Sequence, residues 1–192
     1  MWQLQEPRPV KLIVGILASD ERCLAAAREG VLGALGPADL FSEVWAFDQT
    51  DYYADELGPR VLRQFVSIEQ LIDPGDLADV KHRTNEMERQ LAATLAMPFP
   101  RPVNLDPGVV EPSKLILAST KNFAHRIYIG RKMYAEVTLV FDKGQWRLLP
   151  YTFPDYKRPE YHAFFSMVRS RLVERLRQQT RNQNIEIRNK HE

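Results

Sequence analysis

Three polar clusters in this chain contain residue types that could do chemistry. The densest holds Lys114, Ser119, Thr120, Lys121, His125 and Arg126 between apolar, strand-like runs. Two ammonium groups, a guanidinium and hydroxyls together suit an anion or a phosphate. A histidine beside them can act as acid or base near neutral pH. A set of surface charges with one structural histidine reads the same residues without any function. Density keeps the functional reading level with it, because five of the seven residues in 119–125 are polar.

The second cluster is Asn104, Asp106, Pro107 and Gly108. Asp-Pro-Gly is a turn signal, in which proline presets φ and glycine supplies a positive one. That accounts for Pro107 and Gly108 and leaves Asn104 as a side chain able to face a ligand. The third cluster gathers Asp48, Asp51, Tyr52, Tyr53, Asp55 and Glu56. Carboxylates this dense could hold a hard cation through oxygen. A solvated loop with Asp in its turns is the simpler reading, since no regular ligand spacing is visible. Glu136 lies on a strand-like run near Arg126, and a cross-strand pair between them is the plain expectation. Thr138 is expected on the same strand face as Glu136, with Val137 and Leu139 on the other.

Other polar features read as structural. Lys81, Asn85 and Glu88 form a stripe at helical spacing beside an apolar face, the pattern of a solvated flank. His82 has no HExxH partner for zinc, and His162 no ligand at metal spacing. Cys23, the one cysteine, excludes an internal disulfide and a cysteine-cluster metal site, and it reads as a structural thiol. The arginines at 169, 171, 175, 177 and 181 could meet RNA or an acidic partner. Glu174 and the many glutamines around them favour an ordinary amphipathic helix.

These side chains need a frame. A chain of 192 residues, 44% hydrophobic and 27% charged, suits one globular domain. A net charge of +1 argues against a dedicated nucleic-acid binder. No apolar run approaches a membrane span, and the N-terminus lacks a signal-peptide pattern, so a cytoplasmic protein is expected. Residues 11–18 read as a buried first strand, with Ser19 or Asp20 capping a helix that stops at Gly36-Pro37. Residues 42–47 and 64–68 are strand-like. A second helix starts at Asp73-Pro74 and carries Leu77, Val80, Thr84, Met87, Leu91 and Leu95 on one face.

A fourth strand spans 103–110, kinked at Pro107-Gly108, and completes a ferredoxin-like βαββαβ order. An open α/β sheet with one hairpin would read similarly. Residues 126–129 and 133–141 flank a hairpin turn at Gly130, a further turn leads into 146–152, and Tyr161, Phe164, Phe165, Val168, Leu172 and Leu176 mark a C-terminal helix. Residues 1–177 are expected to form a single α+β domain, with 178–192 a polar, frayed tail.

The strings NLDPG, KLILASTKNFAHRIYIG, YAEVTL, FDQTDYY, LIDPGDLADVKHRTNEME and YTFPDY resemble the family of the domain of unknown function 4416, from about residue 11 to residue 169. The resemblance implies no established activity. Some relatives carry a GTP-binding label, yet this chain has no GxxxxGK[ST] loop to cradle phosphates.

The sequence therefore leads to an intracellular α+β domain with a ferredoxin-like start, an added β-hairpin region and a C-terminal helix. It is expected to bind or act on a small phosphorylated or carboxylated anion, with a nucleotide not excluded. Lys114, Lys121, His125 and Arg126 would hold the anion with Asn104, Ser119 and Thr120 nearby, and Asp48, Asp51, Asp106 or Glu136 would act as base or metal ligand. The alternative is a non-catalytic interaction module whose polar clusters are structural. No motif decides between enzyme and binder, and none fixes a cofactor.

Overall fold

The structure is a computed structural model. It describes the backbone of residues 3–48 and 54–189, and the side chains of 3–48 and 55–182. Strand β1 (Val10–Ala18) is buried along its whole length and is an interior strand of the sheet. Helix α1 (Glu21–Leu35) follows. Asp20 caps it by accepting the Cys23 N–H at 2.7 Å, and Gly36 ends it at a φ of 99°. The edge then comes in two pieces, β2 (Ala38–Phe41) and β3 (Trp45–Phe47), instead of the single strand expected over 42–47. Both pair with β4 (Val61–Ile72), after the short helix α2 (Ala54–Leu57).

A 3-10 turn at Pro74–Asp76 opens α3 (Leu77–Leu95), and β5 (Val103–Val110) returns beside β1. Strands β6 (Lys114–Ser119), β7 (Ile127–Gly130), β8 (Met133–Asp142) and β9 (Gln145–Leu148) complete the sheet before α4 (Pro159–Asn189). The order is β2-β4-β1-β5-β6-β8-β7, with β3 on β4 and β9 on β8, and every ladder among the described residues is antiparallel. The fold is thus α+β, built on one large antiparallel sheet with a long C-terminal helix.

Alternation along β1 sorts the core into two layers. Leu12, Val14 and Ile16 pack with Cys23, Leu24, Ala27 and Val31 of α1 and with Val80 and Met87 of α3. Ile13 faces the other way, into a cluster with Phe65, Leu115, Leu117 and Leu139 that Tyr161, Phe164, Phe165 and Val168 of α4 cover. So α1 and α3 share one face of the sheet and α4 takes the opposite one. Burying an aromatic or branched apolar side chain of this kind stabilises by about 1.5–3 kcal/mol.

Candidate functional site

The sheet splits between β5 and β6. Their ladder holds at Gly108↔Leu117, Val109↔Ile116 and Val110↔Leu115, and ends there. Close approach at its last rung needs Gly108, because a Cβ there would meet the Ile116 carbonyl oxygen at 2.5 Å and Leu117 Cδ2 at 2.6 Å. Beyond that rung the first residues of β5 pair with β1 alone, while Ala118 and Ser119 of β6 pair only with β8. A cavity of about 390 Å³ opens on this gap, lined from both banks.

On the β5 bank, two side chains from α3 take the place of the absent strand. Glu88 Oε1 accepts the Leu105 N–H at 2.8 Å, and Lys81 Nζ donates to the Leu105 carbonyl at 2.8 Å. Both side chains are buried, which corrects the expectation of a solvated flank. Pro107 lies two residues on and faces the same side, so its missing N–H falls where no strand needs it. The Asp-Pro-Gly run is therefore strand and not turn.

Arg101 reaches Glu88 Oε2 at 2.7 Å and Glu56 at 3.2 Å, and also binds Asn104. Asn104 in turn donates to Asp106 at 2.6 Å. Burial pushes the Glu88 carboxyl above the usual carboxylate range, against the pull of Lys81 and Arg101. Burial opposes the charge on Arg101, but Glu88 outweighs it and raises the guanidinium pKa.

On the β6–β8 bank, Arg126 Nε donates to Glu136 Oε2 at 2.7 Å, while its Nη1 donates to Ser119 Oγ at 2.8 Å and to the Lys121 carbonyl at 2.9 Å. His125 Nε2 lies 3.0 Å from the same Glu136 oxygen, and its ring stacks on Tyr151 with centroids 4.1 Å apart. Glu136 is buried, and its Oε1 has no protein partner. The strict alternation expected around Glu136 fails. The register slips between Leu115↔Leu139 and Ile116↔Val137, a bulge at Thr138 that puts Glu136 and Leu139 on the same face. Thr152 Oγ1 donates to the Thr138 carbonyl there at 2.7 Å.

Arg63 of β4, 3% exposed, also lines the cavity, and its Nη2 meets Asp155 Oδ2 at 2.6 Å. Its guanidinium lies 5.2 Å from the centroids of both Phe47 and Phe65 and 5.7 Å from that of Tyr156, within cation–π range. Gly15 makes room for it, since a Cβ there would stand 2.9 Å from Nη1. Burial works against this charge, yet Asp155 acting together with Tyr156, Asp106 and Tyr161 holds the guanidinium pKa above its ordinary value. Burial also raises the Tyr156 phenol pKa, so the ring keeps its proton.

Of the residues expected from sequence, Asn104, Asp106, Ser119, Thr120, Lys121, Arg126 and Glu136 all line this one cavity. His125 touches Glu136 without lining it. Lys114 sits at the other end of β6, paired with Glu111 at 3.0 Å. Asp48 is exposed, and its charge acts on Arg158. Asp51, Tyr52 and Tyr53 lie outside the described residues. Among the described residues, no group of three or more His, Cys, Asp or Glu is placed to hold a metal ion.

Sequence reading missed Arg63, Arg101, Asp155 and Tyr156. A charged residue inside the strand-like run VLRQFVSI was the available signal for Arg63. The YTFPDY string flagged the other end of its ion pair.

Fold and site together define an α+β protein whose split antiparallel sheet encloses a charged cleft. The chain belongs to the family described as a domain of unknown function (DUF4416), whose model matches residues 8–172. Searches of the curated proteins and of the solved structures returned no match.

Proposed function

We propose that the protein binds a small phosphorylated or carboxylated anion in the cleft between β5 and β6. The observation that carries this reading is the convergence of Arg63, Lys81, Arg101, Lys121 and Arg126 on one cavity. A pocket of several hundred Å³ with a few convergent polar groups and an aromatic wall is the usual form of a small-molecule site. Phe47, Phe153 and Tyr156 supply that wall.

Binding is favoured over catalysis. Glu136 is engaged by Arg126 and His125 through one oxygen, and Asp106 by Asn104, so each is fixed in place with its other oxygen presented as an acceptor to a ligand. A ferredoxin-like unit for the first half belongs to the same reading. It is supported by the β2/β3-β4-β1-β5 order, with α1 and α3 on one face. A cytoplasmic setting fits a chain whose single cysteine is buried, and no described helix is long and apolar enough to cross a membrane.

The test is a thermal-shift panel of sugar phosphates, carboxylates, GTP and GDP. A ligand at 100 times its Kd adds about 2.7 kcal/mol to stability, so selective stabilisation by one class supports the reading. A flat response across all classes rejects it. The alternative, an interaction module, draws on Phe123, Ile127 and Tyr128, which are exposed at and beside the edge strand β7. Concentration-dependent self-association by sedimentation, abolished in Ile127→Lys, would favour it.

A further inference from the structure

We infer that the ligand of this cleft is a small monocarboxylate carrying a hydrogen-bond donor, a hydroxyl or an amine, on the carbon next to its carboxylate. The inference rests on the anion-binding reading above and adds the ligand's class.

Charge is the first ground. The five cations around the cavity face Glu56, Asp106, Glu136 and Asp155, and Arg101 is also bound by Glu88, so the cleft holds little surplus positive charge. So small a surplus suits a ligand of at most one net negative charge, which a hydroxy acid carries and a zwitterionic amino acid stays below. A dianionic phosphate would bring its second charge among four carboxylates, and like charges in a poorly solvated cleft repel strongly.

Hydrogen-bonding capacity is the second ground. Among the lining groups, Glu136 Oε1, the Tyr156 hydroxyl and the Arg63 donors Nε and Nη1 are buried without a partner, so the cleft lacks both a donor for Glu136 and an acceptor for Arg63. Asp106 Oδ1 meets Lys81 Nζ only at 3.5 Å, at the limit of a hydrogen bond. A buried acceptor left unpaired is costly, so a ligand that satisfies it gains affinity. A carboxylate with no neighbouring donor answers none of these carboxylate oxygens, and phosphate can answer them only through a P–OH while its charge stays near them. A hydroxyl or ammonium beside the ligand's carboxylate answers them while the carboxylate faces the cations. The third ground is the apolar side of the cavity, where Phe47, Leu117, Phe153 and Pro154 leave room for a hydrocarbon or aromatic substituent.

The test uses three compounds on one carbon frame, 3-phenylpropionate, 3-phenyllactate and phenylalanine, with inorganic phosphate as the fourth probe. Isothermal titration is run on the full chain. The expected result is that phenyllactate or phenylalanine binds at least ~10-fold tighter than phenylpropionate, the size of effect one hydrogen bond to a charged group gives. Whichever of the two binds tighter identifies the donor as hydroxyl or amine. Glu136→Gln is expected to cut that preference to less than ~3-fold. Because Glu136 is buried, Asp106→Asn runs beside it, with circular dichroism checking that each variant is folded, and at least one folded variant must lose the preference. Equal binding of the three carboxylates, or phosphate binding tightest, overturns this inference while leaving an anion site. Binding of no probe, and of no member of the wider anion panel, overturns both.

Discussion

The Leu105 N–H donates to Glu88 Oε1 at 2.8 Å, so a helix side chain occupies the position a neighbouring strand would take. This contact lets β5 leave β6 without stranding its backbone polar groups, which in a buried strand would otherwise go unpaired. Lys81 does the same for the Leu105 carbonyl. The cleft exists because α3 caps the free edge.

Glu88→Ala is expected to destabilise the fold by about 1–3 kcal/mol, the cost of leaving a buried donor unsatisfied. Glu88→Gln keeps an acceptor for Leu105 and is expected to cost less. Urea denaturation measures both. Equal losses in the two variants would mean that the charge on Glu88, and not its acceptor oxygen, supports the strand.

The same pair gives a pH dependence. Burial raises the Glu88 pKa in the folded state, so between its unfolded and folded values the native protein binds more protons than the unfolded chain. Unfolding free energy then falls as pH rises through that window. Glu88→Gln cannot titrate. The stability of the wild type relative to Glu88→Gln should therefore decline as pH climbs from the ordinary carboxylate range through the raised value. A relative stability that climbs over the same span would mean a depressed pKa.

Gly15 and Arg63 are coupled by space. Gly15→Ala places a methyl 2.9 Å from Arg63 Nη1 and 3.1 Å from Phe65 Cε1, and overpacking of this kind costs about 1–3 kcal/mol. In an Arg63→Met background the cost should shrink, which a double-mutant cycle reads directly. Additive effects would show that the methyl is accommodated elsewhere. Asp155→Asn, which leaves the buried guanidinium without its counter-charge, is expected to cost about 3–5 kcal/mol.

Cys23 is fully buried, and burial pushes its thiol up to about 11. The native protein should react slowly with a thiol reagent at neutral pH and rapidly once unfolded in urea. Fast native labelling would show that the α1 N-terminus opens readily.

Much of the fold was legible because its signals are local. The apolar run of β1, the Asp20 cap and the 3.6-residue period of α3 each depend on neighbouring residues alone. The split was not legible, because it depends on where the β5–β6 ladder stops, a long-range event. Pro107-Gly108 was therefore read as a kink or turn, although it marks the last shared rung and the free edge beyond. Lys81 and Glu88 looked solvated because helical spacing fixes a face but not what covers it. The bulge at Thr138 also escaped, since strict alternation carries no sign of an inserted residue. For the site, the polar clusters at 104–106 and 119–126 announced themselves by density. Arg63 and Asp155 lie 92 residues apart and meet only in the fold.

The central claim is that the cleft binds an anion through its converging cations. Lys121 is exposed at the cavity, so Lys121→Ala should leave stability within about 0.5 kcal/mol of wild type. Arg126→Ala, by contrast, also removes a partner of buried Glu136 and should lower stability as well as binding. Isothermal titration of the best anion from the thermal-shift panel into wild type and Lys121→Ala is the most direct measurement. The account predicts a loss of at least ~5-fold in affinity for Lys121→Ala with an unchanged urea midpoint, the loss diminishing at high salt as the charge is screened. Unchanged affinity in Lys121→Ala and in Arg126→Ala, with both variants folded, would contradict it.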